Sequence, residues 1–347
     1  MKFKKLLSLG LVTVLASSML VGCSSTKSEG GDAAANGDDK MKVIMITDVG
    51  GVNDQSFNQS AWEGLGRAKE ELGVEVDYIE SKQESDYATN IDMALDQEAD
   101  LVIGIGYKLE KAISEAAATY PDNKFAIVDS DFGGNIPANV NCITFKAQEA
   151  SYLVGLVAGR VTESKKVGFV GGMEGQLIEE FEAGFTAGVK AANPEVEVLS
   201  QYANNFADPA KGKAITNQMI ADGVDIVFHA AGDTGNGVIE AAKEAGKKAI
   251  GVDRDQNNVA PETIITSAIK RVDVGVYTTV KNLLDDKFEG GKVATYGLNE
   301  DGVGIAETTK EDVDPSVLEF VNEQGEKIKK GEIKVPSTMK EVEASQN

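Results

Sequence analysis

Histidine and cysteine are scarce in this sequence, and their scarcity excludes several kinds of site. The 347 residues include one histidine, His229, and two cysteines, Cys23 and Cys142. One histidine is too few for a zinc site built from several histidines. A Ser–His–Asp arrangement would have to use His229, yet the chain has no Gly-x-Ser-x-Gly turn to expose a serine nucleophile. We therefore interpret His229, which lies in an apolar stretch, as structural, and we expect no enzyme activity, no metal and no cofactor.

Basic residues are also few relative to acidic ones. The chain carries 34 lysines and arginines against 56 aspartates and glutamates, a formal net charge of −22. This charge disfavours nucleic acid and anionic membrane surfaces as partners of the protein body, and it is typical of a soluble exported protein. The length exceeds what one small hydrophobic core organises, so we expect two domains.

The N-terminus has the pattern of an export signal. Lysines within the first five residues precede an apolar run from Leu6 to Val21, and Gly22-Cys23 follows at once. Residues 20–23 resemble a lipobox, in which cleavage precedes the cysteine and its thiol receives a lipid. We therefore predict a lipoprotein signal peptide over residues 1–22 and lipidation of Cys23.

The segment after this cysteine predicts a spacer between membrane and fold. Residues 23–40 are rich in Ser, Gly, Ala and Asp and lack apolar periodicity, as in a flexible tether. With Cys23 lipidated, Cys142 has no disulfide partner, and its place in the apolar strand 140–145 indicates a buried, inert thiol.

From residue 42 to residue 286 short apolar strands alternate with amphipathic helices. This alternation predicts an α/β protein whose parallel sheets are covered by helices. The first helix is expected over about Asn58–Leu72, with Ser56 and Gln59 spaced as a capping box.

The two halves of the chain resemble each other. The stretch at 98–104 parallels the one at 222–228, and Val-Asp-Ser-Asp at 128–131 parallels Val-Asp-Arg-Asp at 252–255, across the same interval. We infer a duplication that gives two similar open parallel-sheet lobes joined by a hinge. Ligands of such sheets bind beyond the carboxyl ends of the strands, so a cleft between the lobes is the expected site.

Polar clusters follow several of the predicted strands. Each Asp or Asn in them has a simpler explanation as a helix cap or turn residue, but their recurrence at strand ends favours a site. Phe57 and Phe206 lie in polar loops of the two halves. They either pack against the opposite lobe or sandwich a flat ligand, and Lys270 is placed to bridge a ligand hydroxyl and a carboxylate.

Three motifs carry a family resemblance: the lipobox, Thr-Asp-Val-Gly-Gly-Val-Asn-Asp-Gln-Ser-Phe at 47–57 with its continuation to Gly64, and Gly-Val-Asp-Arg-Asp-Gln at 251–256. Together they look like the basic membrane protein family of lipoproteins, in its purine nucleoside receptor branch. The resemblance implies a type I periplasmic-binding-protein fold and nucleoside capture for an ABC-type permease and its ATPase. It also implies lobe 1 over 41–146 plus 271–297, and lobe 2 over 147–270 plus 298–347.

The resemblance also implies which residues contact the nucleoside. Two phenylalanines would sandwich the base, polar groups would read its edge, and carboxylates with a lysine would hold the ribose. In this sequence these positions are Phe57 and Phe206 for the sandwich, Asn58 and Asp129 for the base edge, and Asp48, Gly232, Asp253 and Lys270 for the ribose.

Other functions remain open at this stage. A receptor for a sugar or another small polar ligand shares the fold and also stacks aromatic rings on its ligand. A nucleoside-cleaving enzyme is disfavoured, because Thr47, Val49 and Asn53 stand where the acidic loop of such enzymes needs carboxylates. A sensor or adhesin without a permease is a third option. We expect a monomer held by its lipid at the extracytoplasmic face of the cell membrane.

Overall fold

Two six-stranded sheets form the framework of the protein. The structure is a computed structural model that describes residues 40–345, and these belong to one compact unit. The predicted signal peptide, Cys23 and the tether up to residue 39 lie outside the described residues. The strands, in chain order, are β1 (Lys42–Ile46), β2 (Glu75–Ile79), β3 (Leu101–Ile105), β4 (Lys124–Val128), β5 (Val140–Phe145), β6 (Lys166–Gly171), β7 (Glu197–Tyr202), β8 (Ile226–Ala230), β9 (Lys248–Asp253), β10 (Ile264–Lys270), β11 (Lys292–Tyr296) and β12 (Val303–Ile305).

Helices connect most of these strands and cover the sheets. They are α1 (Phe57–Leu72), α2 (Tyr87–Asp96), α3 (Glu110–Thr119), α4 (Ala147–Val161), α5 (Gln176–Ala192), α6 (Pro209–Ala221), α7 (Thr234–Glu244), α8 (Val272–Leu284), α9 (Thr309–Asp312), α10 (Pro315–Lys329) and α11 (Met339–Ser345). The central strands are buried on both faces, which explains their continuous apolar sequences.

The two sheets have the same strand order. The first runs β11-β5-β4-β3-β1-β2 and the second runs β12-β10-β9-β8-β6-β7. All neighbours in the first sheet are parallel, as are those in the second except β12, which lies antiparallel to β10. β11 and β12 occupy corresponding edges of the two sheets. Without them, the strand order β5-β4-β3-β1-β2 of the first sheet corresponds to β10-β9-β8-β6-β7 of the second. The prediction of two similar open α/β lobes is therefore confirmed, and we call the lobe around the first sheet the first lobe and the other the second lobe.

The last 60 residues hold the elements that the sequence pattern missed. The expectation stopped at the helix that ends as α8, whereas β11 joins the first sheet and β12 joins the second. β11 is an edge strand with an irregular, largely exposed burial pattern, and β12 has three residues, so neither gives a strong apolar signal. The helix α10 did carry a start signal, because Asp314 caps it and Pro315 occupies its first turn.

The predicted capping box at the start of α1 is wrong. Ser56 is the N-cap residue by position, but its side chain makes no cap bond. The carboxylate of Asp54 instead accepts hydrogen bonds from the backbone N–H groups of Ser56 at 2.9 Å, Asn58 at 2.9 Å and Gln59 at 3.1 Å. Asp54 therefore satisfies the free donors at this helix start, which leaves the Ser56 hydroxyl available for another partner.

The single histidine, His229, and the cysteine outside the predicted lipobox, Cys142, are both buried. Cys142 lies in β5 as a free thiol, and burial raises its pKa to about 12, as expected for an inert cysteine. His229 lies in β8 and is fully buried.

Candidate ligand-binding site

A cavity lies at the carboxyl ends of the strands of both sheets. Its empty space is about 600 Å³, part of which is open solvent at its mouth. The first lobe contributes residues that follow β1, β3 and β4, and the second contributes residues that follow or end β7, β8, β9 and β10. The cavity therefore occupies the position where parallel α/β sheets bind their ligands.

Seven of the eight residues predicted for the site line this one cavity. They come from six different chain segments spread over more than 220 positions, and the fold brings them together. They are Asp48, Phe57, Asp129, Phe206, Gly232, Asp253 and Lys270.

Asn58 is the exception, because it lies behind the cavity wall. Its amide nitrogen donates to Asp48 at 2.8 Å and to Asp54 at 2.9 Å, while its amide oxygen accepts from the backbone N–H of Asp48 at 3.2 Å. The side chain is almost fully buried, so these protein contacts occupy it. In this structure Asn58 orients the two carboxylates and does not itself line the cavity.

Phe57 and Phe206 approach the cavity from opposite lobes. Phe57 is the first residue of α1, and Phe206 lies in the loop after β7. Both rings are half-buried, and neither stacks on the other. The ring of Phe206 lies against Gly172, where a Cβ atom would stand only 2.1 Å from its Cε1 atom. A glycine at 172 is therefore what allows this ring to lie at the cavity wall.

A buried ion pair spans the cavity between the lobes. Lys270, at the end of β10, is 2% exposed, and its ammonium donates to one carboxylate oxygen of Asp129. The other oxygen of Asp129 is buried without a hydrogen-bond partner. The ammonium also stands 4.6 Å from the centroid of the Phe57 ring, over its face. The unpartnered oxygen is an acceptor that a ligand N–H or O–H can satisfy.

Two further carboxyl groups of the cavity have pKa values raised into the mildly acidic range. Burial raises the pKa of Asp48 to about 6, although the hydrogen bond from Asn58 lowers it. Burial likewise raises the pKa of Asp253 to about 6, against the lowering effects of the Lys270 charge and the Ser56 hydroxyl. A ligand N–H or O–H that donates to either carboxyl group favours its ionised form, which is the better hydrogen-bond acceptor.

Several lining residues were not expected from the sequence. The helix α5 contributes Leu177, Ile178 and Phe181, which form an apolar wall, and Lys108 lies after β3. The apolar face of α5 looked like any core-facing helix stripe, so no pattern in the sequence separates the cavity residues from the core. Among residues 40–345 no group of three or more His, Cys, Asp or Glu side chains is arranged to hold a metal ion.

Comparisons with known proteins agree with this geometry. The family model of Bmp, described as ABC transporter substrate-binding protein PnrA-like, matches residues 41–339. A CD4+ T-cell-stimulating antigen of Listeria innocua is 45% identical, with 96% of this chain and 99% of that protein covered. The ABC transporter nucleoside-binding protein BmpA of Lactococcus lactis is 36% identical over the same shares. Basic membrane protein A of Borreliella burgdorferi is 37% identical, with 96% of each chain covered.

Solved structures with this fold include solute-binding proteins. An ABC transporter solute-binding protein of Aeropyrum pernix superimposes with a TM-score of 0.80 at 30% identity, covering 88% of this chain and 96% of the other. One from Conexibacter woesei has a TM-score of 0.70 at 24% identity, covering 86% and 99%, and shows the fold alone. No helix within residues 40–345 is both long enough and apolar enough to cross a membrane. The chain has the type I periplasmic-binding-protein fold and belongs to the Bmp family of PnrA-like ABC transporter substrate-binding proteins.

Proposed function

We propose that this protein captures a nucleoside, with a purine base preferred, and delivers it to the permease and ATPase of an ABC importer. The observation that carries the proposal is the pair of rings, Phe57 and Phe206, that reach one cavity from opposite lobes. A flat base fits between two such rings, and each stacking contact contributes roughly 1–3 kcal/mol. The nucleoside-binding relative from Lactococcus lactis supports the same choice of ligand.

The polar groups of the cavity supply acceptors for the rest of a nucleoside. Asp48 and Asp253 accept hydrogen bonds from the ribose hydroxyls, and Lys270 donates to a hydroxyl oxygen while it holds Asp129. The unpartnered oxygen of Asp129 accepts from an N–H of the base edge. Gly232 has a positive φ of 56° and brings its backbone close to the ligand.

The proposal includes the position of the protein in the cell. Signal cleavage before Cys23 and lipidation of its thiol would hold the protein as a monomer at the extracytoplasmic face of the membrane, with residues up to 40 as a tether. The lobes are assigned to residues 41–146 plus 271–297 and to 147–270 plus 298–347. The membership of β11 in the first sheet and β12 in the second supports these boundaries.

The proposal predicts that Phe57→Ala weakens nucleoside binding by about ten- to a hundredfold, the loss of one stacking contact. The measurement is isothermal titration calorimetry of residues 24–347, which contain the whole compact unit, after unfolding and refolding to remove carried-over ligand. The titrants are adenosine, guanosine, inosine, uridine, cytidine and ribose. Tight binding of the purine nucleosides by the unaltered protein would set the base preference.

Phe320→Ala is the matched control for this titration. Phe320 is also a half-buried ring, but it packs under Arg160 in α4 and does not line the cavity. It should leave nucleoside affinity unchanged. Binding of ribose alone, or of nothing in the panel, would contradict the nucleoside assignment and favour a sugar or other polar ligand. Release of free base during the titration would instead indicate a nucleoside-cleaving enzyme.

Nucleoside binding is also expected to release protons near pH 6. Ribose hydroxyls that donate to Asp48 and Asp253 favour the ionised carboxylates, so the bound ligand lowers pKa values that stand at about 6 in the free protein. Affinity should then fall by roughly tenfold per linked carboxylate between pH 7 and pH 5. Titrations at pH 6 in buffers of different ionisation enthalpy measure the protons released.

The free purine base is the control ligand for this linkage, because it lacks the ribose hydroxyls. It should bind more weakly and release fewer protons. Proton uptake on nucleoside binding, or equal affinity at pH 5 and pH 7, would show that the hydroxyls do not contact these carboxylates.

A further inference from the structure

Three consecutive residues of the first lobe are held by the second lobe. We call residues 54–56, which precede α1, the latch loop. The carbonyl oxygen of residue 54 accepts from the side-chain amide of Asn236 at 3.2 Å, and that of residue 55 accepts from Gln256 at 3.0 Å. The hydroxyl of residue 56 donates to Asp253. This loop leads directly into Phe57, which lines the cavity. The bonds that hold the two lobes together therefore also hold the segment that positions this ring.

Gln256 is the best-defined of the three holding residues. It is fully buried, and its amide oxygen accepts from the backbone N–H of Val252 at 2.9 Å and lies 3.1 Å from His229 Nε2. A backbone N–H can only donate, so the atom facing it must be the amide oxygen. The amide nitrogen then donates across the cleft to the carbonyl of Gln55, a residue with a positive φ of 59°.

The surroundings of His229 fix its protonation state and allow its ring to act as a single hydrogen-bond donor. It is fully buried and neutral, because burial lowers its pKa to about 4. Its Nδ1 atom has no hydrogen-bond partner and lies against Gly235, where a Cβ atom would stand only 2.0 Å away. Since the neighbouring amide oxygen only accepts, the proton must be on Nε2. The ring is therefore a fixed single donor aimed at Gln256.

We propose that His229 is a positioning residue for ligand retention: it fixes the amide of Gln256 so that Gln256 holds the Gln55 carbonyl and keeps the two lobes closed over the cavity. The hydrogen bond of His229 goes to Gln256 in the second lobe, and His229 does not line the cavity. It acts through Gln256 alone. The inference rests on the proposed function only in taking a nucleoside as the ligand that closure retains.

The test compares two replacements of His229 in residues 24–347. His229→Leu removes the donor, and His229→Gln supplies an amide N–H at the place of Nε2. We expect the leucine variant to release radiolabelled nucleoside about tenfold faster at an unchanged association rate, which is the effect of losing one well-placed hydrogen bond. The glutamine variant should stay within about twofold of the unaltered protein. Rapid filtration measures both rates.

Two further variants separate this role from general destabilisation. Thr216→Val removes another fully buried hydrogen bond of the second lobe, from Thr216 Oγ1 to the Gly212 carbonyl, which does not reach the first lobe. It should lower the unfolding midpoint without changing the release rate. In a Gln256→Leu background, His229→Leu should add no further acceleration. Equal release by the leucine variant and the unaltered protein, or equal acceleration in both His229 variants, would overturn the proposal.

A second readout does not depend on the identity of the ligand. Spin labels on cysteines introduced at the exposed positions Lys69 in α1 and Lys211 in α6 report the distance between the lobes, and the buried Cys142 is not expected to react. The short-distance population should fall in His229→Leu and be restored in His229→Gln. If no nucleoside binds, the proposed function fails, and this distance distribution still decides the latch: identical distributions in all three proteins overturn it.

Discussion

Lys270→Met is expected to lower the free energy of unfolding at pH 7 by about 3–5 kcal/mol, the cost of leaving a buried charge without its partner. Lys270 is 2% exposed, and its side chain pairs with an equally buried Asp129. Its charge also lowers the pKa of Asp253, at the end of the neighbouring strand β9. Methionine keeps the length and the apolar stem but removes the cation that these carboxylates share. We expect the variant to lose nucleoside affinity as well.

The deficit of this variant should depend on pH in a definite direction. Without Lys270 the pKa values of Asp129 and Asp253 rise further above their unfolded values, since burial then acts with less opposition. A group whose folded pKa is raised contributes stability that is present below the unfolded pKa and lost as pH rises through the folded pKa. The difference between variant and unaltered protein should thus be small near pH 5 and largest near pH 8. Urea unfolding at both pH values measures it.

Two controls distinguish the buried pair from a generic lysine effect. Lys281→Met alters an exposed lysine of α8 that pairs with Asp285 at the surface, and it should change stability by at most about 1 kcal/mol. The double variant Lys270→Met with Asp129→Asn removes both charges and should regain much of the lost stability, while binding stays impaired. A single variant as stable as the unaltered protein at pH 8 would show that the ion pair does not stabilise the closed cavity.

The sequence predicted the framework of the site because strand ends are local features. A β-branched apolar run followed by a polar cluster marks the carboxyl end of a strand, so Asp48, Asp129 and Asp253 were each identified from a few neighbouring residues. The repeat then predicted that equivalent strand ends face each other. Seven of the predicted residues accordingly meet at one cavity.

What the sequence could not predict depends on contacts between distant positions. Ser56 and Gln59 have the spacing of a capping box, but the hydroxyl of Ser56 bonds to Asp253, 197 positions along the chain. Asn58 follows Phe57 in a cavity motif, yet its amide is used within the first lobe. No local pattern reports such competition between partners, because the winning contact exists only after the lobes are packed.

The partners of His229 illustrate the same limit. A lone buried histidine in an apolar strand was interpreted as structural, which describes its burial but not its hydrogen bond. Gln256 lies 27 positions away and Gln55 a further 201 positions from it. His229 lies in β8 and Gln256 follows β9, so their contact depends on these two strands being neighbours in the second sheet. The apolar periodicity of a single strand does not indicate which strands become neighbours.

Asp54→Ala should weaken both the fold and the cavity, since one carboxylate serves the helix start and the latch loop. We expect a loss of at least about 2 kcal/mol in the free energy of unfolding, because three backbone N–H groups at the start of α1 lose their acceptor. The Asn58 amide loses one acceptor as well. Phe57 stands between these contacts, so its ring should lose its fixed position and nucleoside affinity should fall in parallel.

Asp54→Asn is the informative comparison, because burial raises the pKa of this carboxyl and opposes its charge. Asparagine keeps one acceptor oxygen without a charge to desolvate, so it should retain more stability than alanine while it still disturbs the bond with the Asn58 amide. Asp314→Ala removes the cap of α10, far from the cavity, and should cost about 0.5–2 kcal/mol without changing affinity. Urea unfolding and nucleoside titration of the three variants measure both effects. If Asp54→Ala lost stability and kept full affinity, Asp54 would be a helix cap only, and the position of Phe57 would have to be set by the contacts with the second lobe.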